Sequence, residues 1–224
     1  MGSRSRSWSN SPLTATREVG RRERGGAENL RVGREWFCDT GPMEYRPTEQ
    51  LEAGFDTVRD APRDRGTLEL IVRRQAENER EILETGELDL VAGLVGDRWF
   101  RRRDEQEADP APEVDRQLTI MSSRAIALIA GERDRWPLAG DQLFVDFDLS
   151  EENLPPGTSL AIGAAVIQVT APPHTGCAKS HKRFGPDALR FVSSPQARAL
   201  RLRGANAKVV RAGAVRAGDL VTKL

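Results

Sequence analysis

Residues 141–170 read DQLFVDFDLSEENLPPGTSLAIGAAVIQVT, and the alternation within them decides the fold class. In DQLFVDFDLS (141–150), Leu143, Val145, Phe147 and Leu149 fall on one face, and Asp146 and Asp148 on the other. A period of two is the signature of a half-buried strand. EENL before Pro155-Pro156 marks a turn. TSLAIGAAVIQVT (158–170) then reads as a strand, a break at Gly163 and a second strand.

Working outward, QLTIM (117–121) predicts a buried strand, and Ser122 or Ser123 caps a helix that runs through Ile129 and closes at Gly131. GTLELIVRR (66–74) predicts a strand. Thr48 to Val58 predicts a helix with Thr48 as N-cap and Leu51, Phe55 and Val58 on one face. NEREILETGELDL (78–90) is rich in helix formers and reads as a short helix ended by Gly86. RRRDEQEADPAPEVD (101–115) is a surface loop. DALRFV (187–192) and SPQARALRL (194–202) read as short helices, the second with Pro195 in its first turn. AKVVRAGAVRAGDLVTKL (207–224) reads as a closing hairpin with Gly at both turns. Short, Gly-punctuated strands dominate from residue 116, so the expected fold is mainly β with inserted helices, a small barrel. Residues 1–42 show no hydrophobic period and are expected to be disordered, or a spurious extension with Met43 as the true start; the first part also has the Arg- and Ser-rich character of a transit peptide. The expected domain is 43–224.

Composition narrows the function. The net charge of zero conceals an asymmetry: residues 35–170 carry 15 basic and 29 acidic side chains, whereas residues 171–224 carry 11 basic and 2 acidic. A basic C-terminal quarter either attracts an anion or pairs with the acidic remainder of the fold. No apolar run reaches the ~18 residues of a membrane span, and few aromatics lie among the basic residues to stack bases, so neither a membrane nor nucleic acid is the expected partner. Two cysteines, Cys38 and Cys177, are too few for a disulfide scaffold, which points to a reducing, cytoplasmic setting.

The chain has two histidines, His174 and His181, and both sit within four residues of Cys177 in PPHTGCAKSHKRFG (172–185). Three readings fit: an activated thiol, a zinc site using His174, Cys177 and His181, or an accident of a loop. Structural zinc wants four ligands, and only three are at hand. A thiolate is a soft donor for thiophilic metals and the form that accepts sulfane sulfur, and nearby positive charge favours it. Small neighbours, Gly176 and Ala178, leave the sulfur approachable. Arg198, Arg201 and Arg203 are candidates for an anion-binding rim, against the plainer reading of a solvated helix face.

Five motifs stand in order: GLVGDRW (93–99), EENL (151–154), VIQVT (166–170), PPHTGCAK (172–179) and GAVRAGDLV (213–221). This succession resembles the MOSC family, named for the C-terminal domain of molybdenum cofactor sulfurases, over about residues 48–224. The chain departs from the pattern at Trp99, where many members have His, and at Glu151, in place of Gly. It departs again at His174-Thr175-Gly176, in place of Arg-x-Pro. The resemblance implies a MOSC-like β-barrel and one functional cysteine, Cys177, either a molybdenum ligand or a persulfide carrier. The first form would reduce N-hydroxylated substrates with electrons from an external donor. The second would take sulfur from a desulfurase and pass it to the molybdenum cofactor (molybdopterin). The resemblance raises Arg98, Asn153 and His174 as cofactor contacts, and Lys179 and Arg183 join them as candidates for the positive charge they bring beside Cys177. Pyridoxal phosphate belongs to the separate sulfurase domain of long members and is not expected on this chain. The alternative function is a non-catalytic anion-binding module.

Overall fold

The computed structural model describes residues 29–32, 35–38, 45–100, 114–175 and 178–224. In chain order the elements are strands β1 (Asn29–Val32) and β2 (Glu35–Cys38), helices α1 (Thr48–Ala53) and α2 (Phe55–Arg59), and strands β3 (Arg65–Arg73), β4 (Glu79–Leu83), β5 (Thr85–Asp89) and β6 (Gly93–Leu94). Strand β7 (Leu118–Ser122), helix α3 (Ser123–Ala130), a 3-10 segment (Arg133–Ala139) and strands β8 (Leu143–Asp146), β9 (Ser159–Ile162) and β10 (Ala165–Val169) follow. Helices α4 (Ala178–Ser193) and α5 (Pro195–Ala199) precede the last strands β11 (Ala205–Arg211), β12 (Gly213–Arg216) and β13 (Leu220–Lys223).

Seven strands close into a barrel in the order β13-β9-β10-β11-β7-β8-β3, with β13 pairing back onto β3. Six of the seven contacts are antiparallel. The exception is β7–β8, where Ile120 faces Leu143 in parallel register. A parallel pair needs a crossover, and α3 with the 3-10 segment supplies it. β12, β5 and β6 form a small separate sheet, and β4 extends the barrel wall outward from β3.

The alternation in 143–149 is realised, with a sharper result than one buried face. Leu143, Val145, Phe147 and Leu149 point into the barrel with Leu68, Ile71, Ile120, Ile162 and Ile167. Phe144, on the opposite face of β8, is equally buried in a second core between the barrel wall and the helices, with Leu51, Phe55, Met121, Ile126, Phe184 and Phe191. The strand is therefore covered on both sides, and the helices pack on one flank of the barrel.

Three expectations change. Residues 78–90 form β4 and β5, because the edge of β3 and strand β12 offer hydrogen-bonding partners that outweigh the helix propensity of Glu and Leu. The last three strands do not form a closing hairpin: β12 pairs with β5, while β13 bridges β3 and β9. Thr48 is the first helical residue of α1 and its own N–H is capped from afar, donating to Asp187 Oδ2 at 3.2 Å. Within the expected N-terminal extension, Asn29–Val32 and Glu35–Cys38 pair antiparallel, and β1 runs parallel to β4. Most of the expected loop at 101–115 lies outside the described residues. Among the described residues no helix is long and apolar enough to cross a membrane.

Candidate functional site

The short link between the 3-10 segment and β8 forms the floor of the site. Gly140 has φ +84, a left-handed conformation that suits glycine, and its carbonyl accepts a 3.0 Å hydrogen bond from Arg74 Nη1. Asp141 follows and is fully buried. It stands two residues before Leu143, in the link that leads into β8. Burial of a charge is tolerated when it is paired. Here Arg203 Nη1 donates to Asp141 Oδ2 at 2.7 Å, and Arg203 Nη2 donates to Ala139 O at 3.0 Å.

The other carboxylate oxygen faces His174. Asp141 Oδ1 and His174 Nδ1 are 3.3 Å apart, within ion-pair distance, but off the line of a hydrogen bond. Behind the imidazole stands Gly204, at φ +99; a Cβ there would lie 2.4 Å from Ile120 O and 3.3 Å from His174 Nδ1. Only glycine lets the turn before β11 come this close to β7 and to the ring. The loop carrying His174 is pinned from several sides. Asn206 Nδ2 donates to Pro172 O at 3.0 Å, Thr170 Oγ1 donates to Asp115 O, and Arg116 Nη1 donates to Pro173 O at 3.4 Å. Burial pushes the His174 pKa down to about 4, and the Arg203, Arg74 and Arg116 charges add to this against the pull of Asp141. The imidazole is therefore neutral near pH 7.

His174 lines a cavity of about 340 Å³ bounded by the 170–175 loop, the end of α4, α5 and the turn before β11. Its charged lining is Arg198, Arg201, Arg203 and one acid, Glu151. Arg201 is half-buried and donates from Nη1 to Leu154 O at 2.6 Å. Burial lowers its pKa, with Glu151 opposing. Neither Arg198 nor Arg201 has a carboxylate within ion-pair distance among the described residues, so both retain charge for a ligand. A larger recess of about 750 Å³ lies between α1, α2 and the end of α4, but its arginines are already matched, Arg59 with Asp56 and Arg190 with Asp187. The smaller cavity thus has the unspent positive charge.

The sequence pattern of the MOSC domain matches residues 95–222, more than half of the chain. The chain belongs to the MOSC domain family. A solved structure of a bacterial protein agrees on the fold. The YuaD protein from Bacillus subtilis superposes with a TM-score of 0.53 at 18% identity, covering 70% of this chain and 94% of that one. YiiM from Escherichia coli gives a TM-score of 0.47 at 19% identity, covering 70% of this chain and 69% of that one. No curated protein matches the chain.

In this MOSC domain the residues singled out by the sequence take different positions. Cys177 and Gly176 lie outside the described residues. His174 lines the cavity, whereas His181 is exposed on α4. No three His, Cys, Asp or Glu side chains gather as a metal site among the described residues. Lys179 pairs with Glu77 on the surface, and buried Arg183 donates to Leu138 O at 2.7 Å, behind the 138–141 floor. Asn153 is spent on the fold: its amide donates to Arg63 O and Asp148 O, and its oxygen accepts from Lys223 Nζ at 2.8 Å. In the GDRW motif it is Asp97 that is consumed. It accepts from Arg74 N, Nε and Nη2 and from Trp99 N, tying the end of β6 to the end of β3. Arg98 follows half-exposed, with its backbone N–H donating to Arg74 O at 2.7 Å. Arg98, Asn153, Lys179 and Arg183 do not line the cavity. Sequence reasoning missed Asp141, although an acid in phase with Leu143 and Val145 was the available signal.

Proposed function

We propose that this MOSC domain binds the molybdenum cofactor, with its anionic end in the His174 cavity and with Cys177 as thiolate ligand. The supporting observation is the excess of positive charge over the single acid Glu151, with Arg198 and Arg201 in no ion pair among the described residues, in a cavity lined by the residue three places before Cys177. The donor set fits an anionic group. Arg198 and Arg201 line a cavity of about 340 Å³, within the usual range of ligand pockets, and Arg203 Nε is buried beside it without a protein hydrogen-bond partner. Bound there, the cofactor would supply two-electron chemistry at an open metal position, as in the reduction of an N-hydroxylated compound.

The chain's own residues have separable tasks. Arg198 and Arg201 attract and hold the anion. Arg203, fixed between Asp141 and Ala139 O, keeps the cavity wall rigid. Arg74, Arg116 and Arg203 together make the surroundings of His174 electropositive, against the single negative charge of Asp141. Electrons would come from an external donor protein. A persulfide on Cys177, loaded by a desulfurase, is the competing use of the same thiolate.

The test is to make the protein in a host that synthesises molybdenum cofactor and to measure bound molybdenum and pterin. Near-stoichiometric metal and pterin are expected, with both lost in Cys177→Ala. Cyanide-labile sulfur in the wild type without metal would move the assignment to the sulfur carrier. Neither metal, pterin nor labile sulfur on the wild type would sink the proposal.

A further inference from the structure

The way His174 is held determines which anions the cavity can accept. Its Nδ1 is enclosed, with Asp141 Oδ1 at 3.3 Å and Gly204 packed behind it. Although the pair is off the line of a hydrogen bond, the negative charge of Asp141 beside Nδ1 favours the tautomer with the ring proton on that nitrogen. The opposite nitrogen, Nε2, then carries a lone pair. The side chain is 17% exposed while Nδ1 is buried, and the ring lines the cavity, so the accessible part of the imidazole presents an acceptor.

We infer that His174 makes this cavity selective for oxyanions that carry a proton, such as hydrogen phosphate, over fully deprotonated oxyanions such as sulfate. The two ions have the same shape and nearly the same size. Arg198 and Arg201 attract both and cannot tell them apart. At His174 Nε2 they differ: hydrogen phosphate turns its O–H onto the nitrogen, whereas sulfate sets lone pair against lone pair. The groups facing the ring keep it neutral. Burial is the largest influence against protonation, Arg203, Arg74 and Arg116 act in the same direction, and Asp141 opposes them. A protonated imidazole would donate from both nitrogens and erase the preference. The inference rests on the reading that this cavity is the anion site, and it is independent of molybdenum and of Cys177.

The full chain, in a chloride background at pH 7, is titrated calorimetrically with inorganic phosphate and with sulfate at matched ionic strength. Every phosphate species present at that pH carries at least one proton, and sulfate carries none. Phosphate should bind about tenfold or more tightly, the scale of one hydrogen bond exchanged for an unsatisfied contact. His174→Gln, whose amide can donate, should bring the two affinities together. Imidazole nitrogen NMR of the wild type should show the proton on Nδ1. Equal affinities in the wild type would overturn the selectivity and leave the anion site standing. Binding of neither ion would overturn both. A preference that survives in His174→Gln would show that another group discriminates.

Discussion

At the scale of single residues, the site turns on a neutral histidine trapped among charges. A histidine whose folded pKa is about 4, against 6.5 when free, binds its proton less readily in the native state than in the unfolded chain. Above pH 6.5 neither state is protonated and the group is neutral in its effect. Between pH 6.5 and about 4 the unfolded chain takes up a proton that the folded chain refuses, so stability falls as pH falls. Below 4 the effect is constant. Linkage puts the full loss at about 3 kcal/mol. Urea midpoints at pH 7 and pH 4.5 should therefore differ more for the wild type than for His174→Gln, once other carboxylates, common to both, are subtracted. An equal drop in both proteins would mean that His174 titrates normally. Part of this site was legible in the sequence. The rarity of histidine and cysteine drew the eye to 172–185, and Arg198, Arg201 and Arg203 were candidates for a rim. That Arg203 is bound to Asp141 was not legible, because 62 residues separate the pair and only the barrel brings β11 against the 138–141 turn. Asn153 shows the opposite failure. Its motif marks the family, yet its side chain holds Arg63, Asp148 and Lys223 together, with both amide hydrogens donated within the fold.

At the scale of elements, alternation was readable wherever one strand face met the barrel interior, as in β8, β9 and β10. It was unreadable in β4 and β5. There the apolar residues are sparse, and Glu, Arg and Leu favour a helix in isolation. What overrides them is an open edge on β3, where Val72 pairs with Ile82, and strand β12, where Val215 faces Gly86. Gly86 was read as a helix stop; it is a place where bulk is excluded, since a Cβ would stand 2.9 Å from Leu94 Cδ1. A sharper case lies between β3 and β8. A Cβ on Gly66 would sit 2.0 Å from the backbone oxygen of Asp146 and 2.8 Å from the Phe147 ring. A backbone atom cannot swing aside as a side-chain tip can. Gly66→Ala should therefore separate the two strands and destabilise the domain by about 2 kcal/mol or more, at the upper part of the overpacking range. Gly86→Ala, which meets only the end of a leucine, should cost less. Denaturant midpoints of the two variants decide the point, and the reverse order would mean that β3 and β8 adjust more readily than their packing implies.

At the scale of the whole molecule, the charge asymmetry of the sequence has become a means of closure. The basic C-terminal stretch returns to the acidic middle through Arg203 with Asp141, Lys208 with Asp115, Lys179 with Glu77 and Lys223 with Asp64. This realises the plainer reading of the basic quarter, and it leaves Arg198 and Arg201 outside the ion pairs among the described residues. The last of these pairs sits on β13, the strand that closes the barrel. β13 joins β9 to β3, buries Val221 completely, and carries Lys223 to the Asn153 oxygen. Without it both neighbours become free edges beside an open apolar interior, an arrangement that favours aggregation. Removal of residues 219–224 should therefore cost far more than six residues at a frayed terminus would. The expected outcome is loss of cooperative thermal unfolding, with rapid hydrogen exchange at the β3 and β9 amides that bond to β13. Lys223→Ala serves as the companion variant, since it removes the ion pair and keeps the strand. It should unfold cooperatively, with a loss of about 1–3 kcal/mol because the Asn153 oxygen is left buried and unpaired. If the truncated chain also melted cooperatively, closure of the barrel would not be what holds β3 and β9 in place, and the cores on either side of β8 would have to suffice alone.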